Sequence, residues 1–280
     1  MSEEYFDAYV PSQMAERAKA SGIRKAKRDF LSALFLAIQA GAFIAFGAAF
    51  YTLVTHDSAA GAGLTQLIGG VAFSLGLILV VVAGADLFTG DTLMVMASFS
   101  RAITIRAMLR SWSIVFTGNL LGALAIVFLV YFSGHWQANE GAVGQHALAI
   151  ATHKILLPFG AAFASGMLCN VLVCLALWLC YSARSLADKV AAILFPISAF
   201  VAMGFEHSIA NMYFLPAGLL LAHDPLFASG HSALNLSSAL GNLVPVVLGN
   251  MVGGAIFVGT VYWILYLRRG APETKTGADA

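Results

Sequence analysis

The sequence predicts an all-α polytopic membrane protein: six transmembrane helices in an inverted 3+3 repeat, with the middle helix of each half broken. Three observations lead there. Hydrophobic residues make up 60% of the 280-residue chain and charged residues 10%, against about 25% charged in a typical soluble domain, so the outer surface must be apolar as well as the core. Six apolar stretches suit a crossing of about 20 residues, and two of them carry charge near the middle. A Gly-Asn-x-x-Gly motif recurs late in each half.

Taken in order, residues 1–29 are polar and lack the apolar stretch of a cleavable signal peptide. Tyr5, Phe6, Tyr9, Val10 and Met14 stand there at roughly helical spacing. They read as a cytoplasmic surface helix, with a gating role as the other reading. Residues 30–268 form the pore domain and 269–280 a cytoplasmic tail. The intact crossings run from about Phe30 to Val54, Trp112 to Phe132, Phe159 to Tyr181 and Leu240 to Leu267. The second segment, Leu64 to Ser98, and the fifth, Val190 to Leu221, are each longer than one crossing and shorter than two with a turn. Each holds glycine-flanked charge, GADLFTGD (84–91) and GFEHSIAN (204–211). Each is expected to cross once, as two half-helices joined by non-helical backbone that is buried in protein or lines a cavity.

The order intact, broken, intact then repeats, with TGNLLGA (117–123) and LGNMVGGA (248–255) at matching places. Three crossings per half make the second half enter from the opposite side, which points to a substrate site where the breaks meet near the midplane. The glycines also suit helix packing, but packing alone leaves the repeated Asn unexplained. Fourteen of the fifteen basic residues fall on one side, including Arg28, Arg101, Arg184, Arg268, Arg269 and Lys275. By the positive-inside rule that side, with both termini, is cytoplasmic. Only Lys154 is left on the outer side. A net charge of +1 from scattered residues gives no nucleic-acid signal. Cys169, Cys174 and Cys180 share one apolar segment and read as small buried hydrophobes, with no disulfide framework and no metal or cofactor expected.

His207 alone of seven histidines falls deep in a span. An ionisable group there costs at least about 2.5 kcal/mol, so it faces the bundle interior and has a partner. Histidine changes charge near neutral pH, which suits it to handing a proton to a weak-acid anion; a neutral histidine pinned between helices is the plainer reading. Glu206 and Asp86 read as structural clamps, Glu206 by accepting backbone N–H groups at its break. Thr89 can serve His207 or an anionic ligand. Asn170 and Asn211 each have two readings, site residue or inter-helix hydrogen bond. Phe73, Leu77, Phe88 and Phe200 suit apolar constrictions either side of the histidine, or packing. Lys154 either raises the anion concentration at the outer mouth or is a plain exposed lysine.

GADLFTG, GFEHSIANM, the HK pair at 153–154, MLCNVLVCLALW (167–178) and LGNMVGGAIFVGTVYW (248–263) resemble the formate/nitrite transporter family over essentially the whole chain, most like its formate channel branch. The nitrite branch tends to have Ser-Glu in place of Ala85-Asp86. The resemblance implies an aquaporin-like six-helix fold, a homopentamer with one pore per protomer, and a mobile break at 84–90 whose Thr89 approaches His207. It also implies that Asn170 supports His207, that Leu77, Phe88 and Val173 form the cytoplasmic constriction and Phe73 with Phe200 the outer one, and that Lys154 and Asn211 belong to the outer vestibule. Variation is expected in the loops 134–152 and 222–239 and after Arg269.

The function that follows is bidirectional formate transport in the bilayer of the inner membrane, with proton symport through His207. A static cationic His207 is the competing mechanism, and nitrite, hydrosulfide or a short-chain carboxylate the alternative cargo. An intramembrane hydrolase using Ser165 or Ser232 lacks the Gly-x-Ser-x-Gly elbow. A non-transporting receptor or scaffold gives no reason for two matched breaks.

Overall fold

The computed structural model describes residues 8–227 and 234–268. Tyr5, Phe6, Ser232, Arg269, Lys275 and the tail 269–280 lie outside the described residues. The described chain is helical almost throughout, in the order α1 (Pro11–Ala26), α2 (Phe30–Thr55), α3 (Ala62–Ala83), α4 (Phe88–Asp91), α5 (Val95–Phe99), α6 (Ile105–Phe132), α7 (Ala142–Ile155), α8 (Phe159–Ser182), α9 (Leu186–Ala202), α10 (Ser208–His223), α11 (Leu236–Val252) and α12 (Val261–Tyr266). Side chains start the helices where the sequence supplies acceptors. Asp29 accepts the Ser32 N–H, Thr104 the Ala107 N–H, Ser185 the Asp188 N–H and Asn235 the Ser238 N–H. Many large apolar side chains point outward, among them Phe35, Phe132 and Phe195, as the wall of a membrane-spanning bundle requires.

Among the described residues, five helical stretches are long and apolar enough to cross a membrane on their own: α2, α3, α6, α8 and the run Leu236–Tyr266. The sixth expected crossing is α9 plus α10, at 17 and 16 residues. The second segment is broken at one end rather than halved, because α3 alone has 22 residues, a rise of about 33 Å. Gly84 ends α3 and Gly204 follows α9, both left-handed at φ +76° and +70°. In each, the next residue's N–H reaches back to a carbonyl of the helix, Ala85 to Val80 and Phe205 to Phe200. That is the glycine-terminated stop in which a left-handed residue satisfies the last carbonyls.

Three further departures have local causes. Residues 134–152 are mostly helix, because Val143, Gly144, Ala147, Leu148 and Ala151 give α7 one buried face. The third crossing begins at Ile105 rather than Trp112, since Thr104 caps it there. The last crossing widens into a π-helix over Gly253–Thr260, where the Thr260 hydroxyl donates to the Ala255 carbonyl five residues back. The helix α1 exposes Gln13, Glu16 and Arg24 and buries Met14, Ala15, Ala18 and Gly22, with Met14, Ala15 and Ala18 joining Met96 and Trp178 in one apolar cluster. Tyr9 sits between Arg17 and Arg184, whose guanidinium carbons are 4.0 and 4.1 Å from its ring centroid.

Within each half the first helix packs on the third, α2 on α6 and α8 on α11, and α3 meets α9 across the halves. The glycines set this closeness: a Cβ on Gly122 would lie 1.9 Å from the Ile38 carbonyl oxygen, and one on Gly253 2.2 Å from that of Met167.

Candidate functional site

The breaks carry the site. His207 is the extended residue before α10 (φ −109°, ψ 116°), and its Nδ1 accepts the Ala210 N–H at 3.1 Å. Since Nδ1 offers its lone pair to a backbone donor, the neutral imidazole must carry its proton on Nε2. Nε2 lies 3.2 Å from Thr89 Oγ1 in the first turn of α4, so the ring donates and the threonine hydroxyl accepts. The Thr89 proton stays available to a third group. Both residues are buried.

Asn170 does not reach the imidazole. Its Nδ2 donates to the carbonyls of Thr89 (3.1 Å) and Asn250 (2.6 Å) and to Thr92 Oγ1 (3.2 Å). The expected support is thus indirect: Asn170 fixes the backbone of Thr89, helped by the Thr92 hydroxyl at 2.6 Å. Its own Oδ1 is buried without a partner. The three cysteines are buried and free; Cys174 Sγ lies 3.6 Å from the Thr89 carbonyl.

Phe200 stacks on the imidazole, centroids 5.9 Å apart at 18°, and Phe73 meets Phe200 edge-on at 5.8 Å. Beyond these rings opens a vestibule of ≈380 Å³, whose wall includes His207, Lys154, Glu206, Phe214 and His146. Leu77, Phe88 and Val173 are buried in the same apolar cluster as Phe73 and Phe200. The Phe88 ring lies edge-on against Trp112 and Phe116 of α6, at 6.2 and 5.1 Å.

Both break carboxylates are clamped, though not as the sequence suggests. Among the described residues Glu206 accepts no backbone N–H; its oxygens take Lys154 Nζ at 2.7 Å, Asn211 Nδ2 at 2.7 Å and Asn242 Nδ2 at 3.4 Å. Burial explains the choice, since an ammonium neutralises a buried carboxylate where amides cannot. Lys154 is accordingly not a free exposed charge: its side chain is 12% exposed and paired. Asn211 is fully buried, tied to Glu206 and to Asn242 at 2.8 Å, and is absent from the vestibule wall. Asp86 pairs with Arg28 and, at 3.3 Å, with Lys25, which also pairs with Asp91. Ser165 Oγ accepts the Glu206 N–H at 3.0 Å, so it helps fix the break.

Backbone clamps complete the picture. Asn119 accepts the Phe88 N–H and donates to the Asp86 and Ala37 carbonyls. Asn250 accepts the Ser208 N–H and donates to the Glu206 and Gly166 carbonyls.

Residues 12–264 match the sequence profile described as "Formate/nitrite transporter". The chain belongs to the formate/nitrite transporter family. It is 43% identical to "Formate channel FocA" of Escherichia coli (strain K12) over 274 residues, 94% of this chain and 96% of that one. It is 42% identical to the Haemophilus influenzae protein of the same name over 268 residues, covering 90% and 93%. A solved structure, "Pentameric formate channel with formate bound", superposes with a TM-score of 0.81 at 41% identity, covering 85% of this chain and 98% of that chain.

As a member of the formate/nitrite transporter family, with several long apolar helices, the protein is a multi-pass membrane protein. Sequence reasoning missed Lys25, Arg28 and Asp91, whose partners lie about sixty residues apart in the chain, and Asn242. It also missed what the two motif asparagines hold, although their recurrence was the available signal.

Proposed function

We propose that the protein is a bidirectional formate channel in which His207 and Thr89 pass the anion between two apolar constrictions with a proton. One observation carries the reading: an imidazole Nε2–H and a threonine hydroxyl meet in a buried site directly beneath an aromatic-necked vestibule. The formate channels of Escherichia coli and Haemophilus influenzae, and the formate-bound pentamer, support formate as cargo.

A carboxylate cannot cross the Phe73–Phe200 neck cheaply while charged, because an apolar constriction offers no replacement for its hydration. An imidazolium at His207 forms only by giving up the Ala210 N–H bond at Nδ1. Passing the Nε2 proton to the carboxylate yields neutral formic acid, which crosses between Leu77, Phe88 and Val173, and leaves the ring's one proton on Nδ1; the Ala210 bond returns when that proton is back on Nε2. Thr89 orients the anion with its spare hydroxyl proton. Because proton and anion move together, the result is symport, and a pH gradient drives accumulation.

The same reading assigns residues 1–29 and 269–280 to the cytoplasm, residues 30–268 to the pore, and the protein to the inner membrane as a homopentamer. The paired glycine stops and paired asparagine clamps support an inverted repeat.

The test is formate flux into proteoliposomes with and without a pH gradient, natural protein against His207→Asn. Asparagine is among the best helix caps, so the variant keeps the α10 start and removes only the imidazole. Gradient-driven accumulation lost in the variant is the expected result. Equal, pH-insensitive flux in both would leave His207 a structural cap.

A further inference from the structure

The vestibule wall holds four basic residues, His207, Lys154, His146 and His153, and one carboxylate, Glu206. Lys154 and Glu206 cancel each other at 2.7 Å. The Nδ1 of His207 is occupied by the Ala210 N–H. What is left to bring positive charge to the vestibule is a pair of histidines on α7. His146 and His153 are seven residues apart, two helical turns, so they share the face that α7 turns to the cavity.

The proton positions of His146 follow from its partners. Thr55 Oγ1 donates its proton to the Tyr51 carbonyl at 2.8 Å, so at 2.9 Å from His146 Nε2 it accepts. The neutral ring therefore carries its proton on Nε2, and Nδ1 makes no hydrogen bond among the described residues. Protonating Nδ1 breaks nothing and creates an N–H donor with a full charge, the reverse of the situation at His207. The other groups around it are Tyr51, whose hydroxyl is held by Gln66 at 2.9 Å, and His56. Among the described residues no carboxylate other than the neutralised Glu206 lines this cavity. Burial, and then His56, hold His146 below the ordinary histidine value, so it charges only on the acid side of about 6.5.

We propose that this face of α7 is a second anion-binding station, built on His146 and His153, that captures a small carboxylate in the vestibule under acidic conditions before it reaches His207. It rests on the anion-transport reading above. Ion pairing at a partly exposed site is worth up to about five-fold in affinity.

The test measures formate uptake from the vestibule side at pH about 7.5 and 5.5, together with the histidine NMR titration of the full-length protein in detergent with and without formate. The natural protein is expected to show a KM several-fold lower at the acid pH. His146→Gln abolishes that change with maximal rate within two-fold, and His146→Lys keeps the low KM at both. Formate raises the midpoint of His146 in the titration. A pH-dependent KM retained in His146→Gln, or a titration indifferent to formate, overturns the station. Absence of flux in the natural protein would overturn the transport reading alone, because the titration reads binding without transport.

Discussion

Asn119 and Asn250 stand in the same relation to the two breaks. Each accepts the N–H of the first residue of the helix after the break, Phe88 at 2.9 Å and Ser208 at 2.8 Å. Each also donates to a carbonyl within the break, Asp86 at 2.9 Å and Glu206 at 3.0 Å, and to the first helix of its own half, at Ala37 and Gly166. One amide side chain thus satisfies two buried backbone groups that a continuous helix would have paired itself, and ties the break to a neighbouring helix carbonyl. The glycine before each asparagine lets the helices close to the distance at which the amide reaches.

Removing either amide should therefore loosen a break rather than a helix. Asn250→Ala leaves the Ser208 N–H and the Glu206 carbonyl without that partner and removes the tie to α8 at Gly166. Unpaired buried groups cost about 1–3 kcal/mol each, though closer to 0.6 for hydrogen bonds lost within a membrane. A loss of roughly 2 kcal/mol and a fall in Tm of about 4–8 °C are expected, with flux reduced because His207 sits between the freed groups. Asn119→Ala should cost a similar amount. Thermal unfolding in detergent reads both, and an unchanged Tm would remove the clamps from the account.

The architecture was legible in the sequence because lipid demands it: apolar runs of crossing length have no other solvent. The breaks were legible because charge inside such a run needs a reason. What the runs do not encode is direction. Asn170 has two readings in the sequence, support of His207 or an inter-helix hydrogen bond, and its amide faces Thr89, Thr92 and Asn250. Lys154 looked free because its partner Glu206 is fifty-two residues on. The stretch 134–152 reads as loop although the buried positions of α7 have helical spacing, because its glycines and short length mask the period.

The Lys154–Glu206 pair gives a second prediction. The two side chains are 12% and 4% exposed. Breaking a buried pair from one side typically costs about 3–5 kcal/mol, because it strands a charge, whereas replacing both partners costs far less. Lys154→Met should lower Tm more than the double variant Lys154→Met/Glu206→Gln, despite the second substitution. A double variant less stable than Lys154→Met would mean that the pair acts through Asn211 and Asn242 rather than through charge.

The third prediction concerns α1. Lys25 is shared between Asp86 and Asp91 and Arg28 also holds Asp86, so α1 and the connection to α2 are fastened to the first break. Burial works against the Lys25 ammonium, but Asp91 and then Asp86 outweigh it and hold its pKa above the ordinary lysine value. A raised pKa contributes stability that is complete below the unfolded value, about 10.4, and is lost as pH climbs through the folded one. Docking of α1 through Lys25 should then be constant from neutral pH to about 10 and weaken above that. Lys25→Gln should loosen α1 already at pH 7.5, because it leaves Asp91 buried without its cation. Amide hydrogen exchange over Pro11–Ala26 measures this directly: faster exchange in Lys25→Gln, with α8 unaffected, is the expected outcome. Equal protection in both proteins would mean that the apolar contacts of Met14, Ala15 and Ala18 hold α1 without help from the ion pairs.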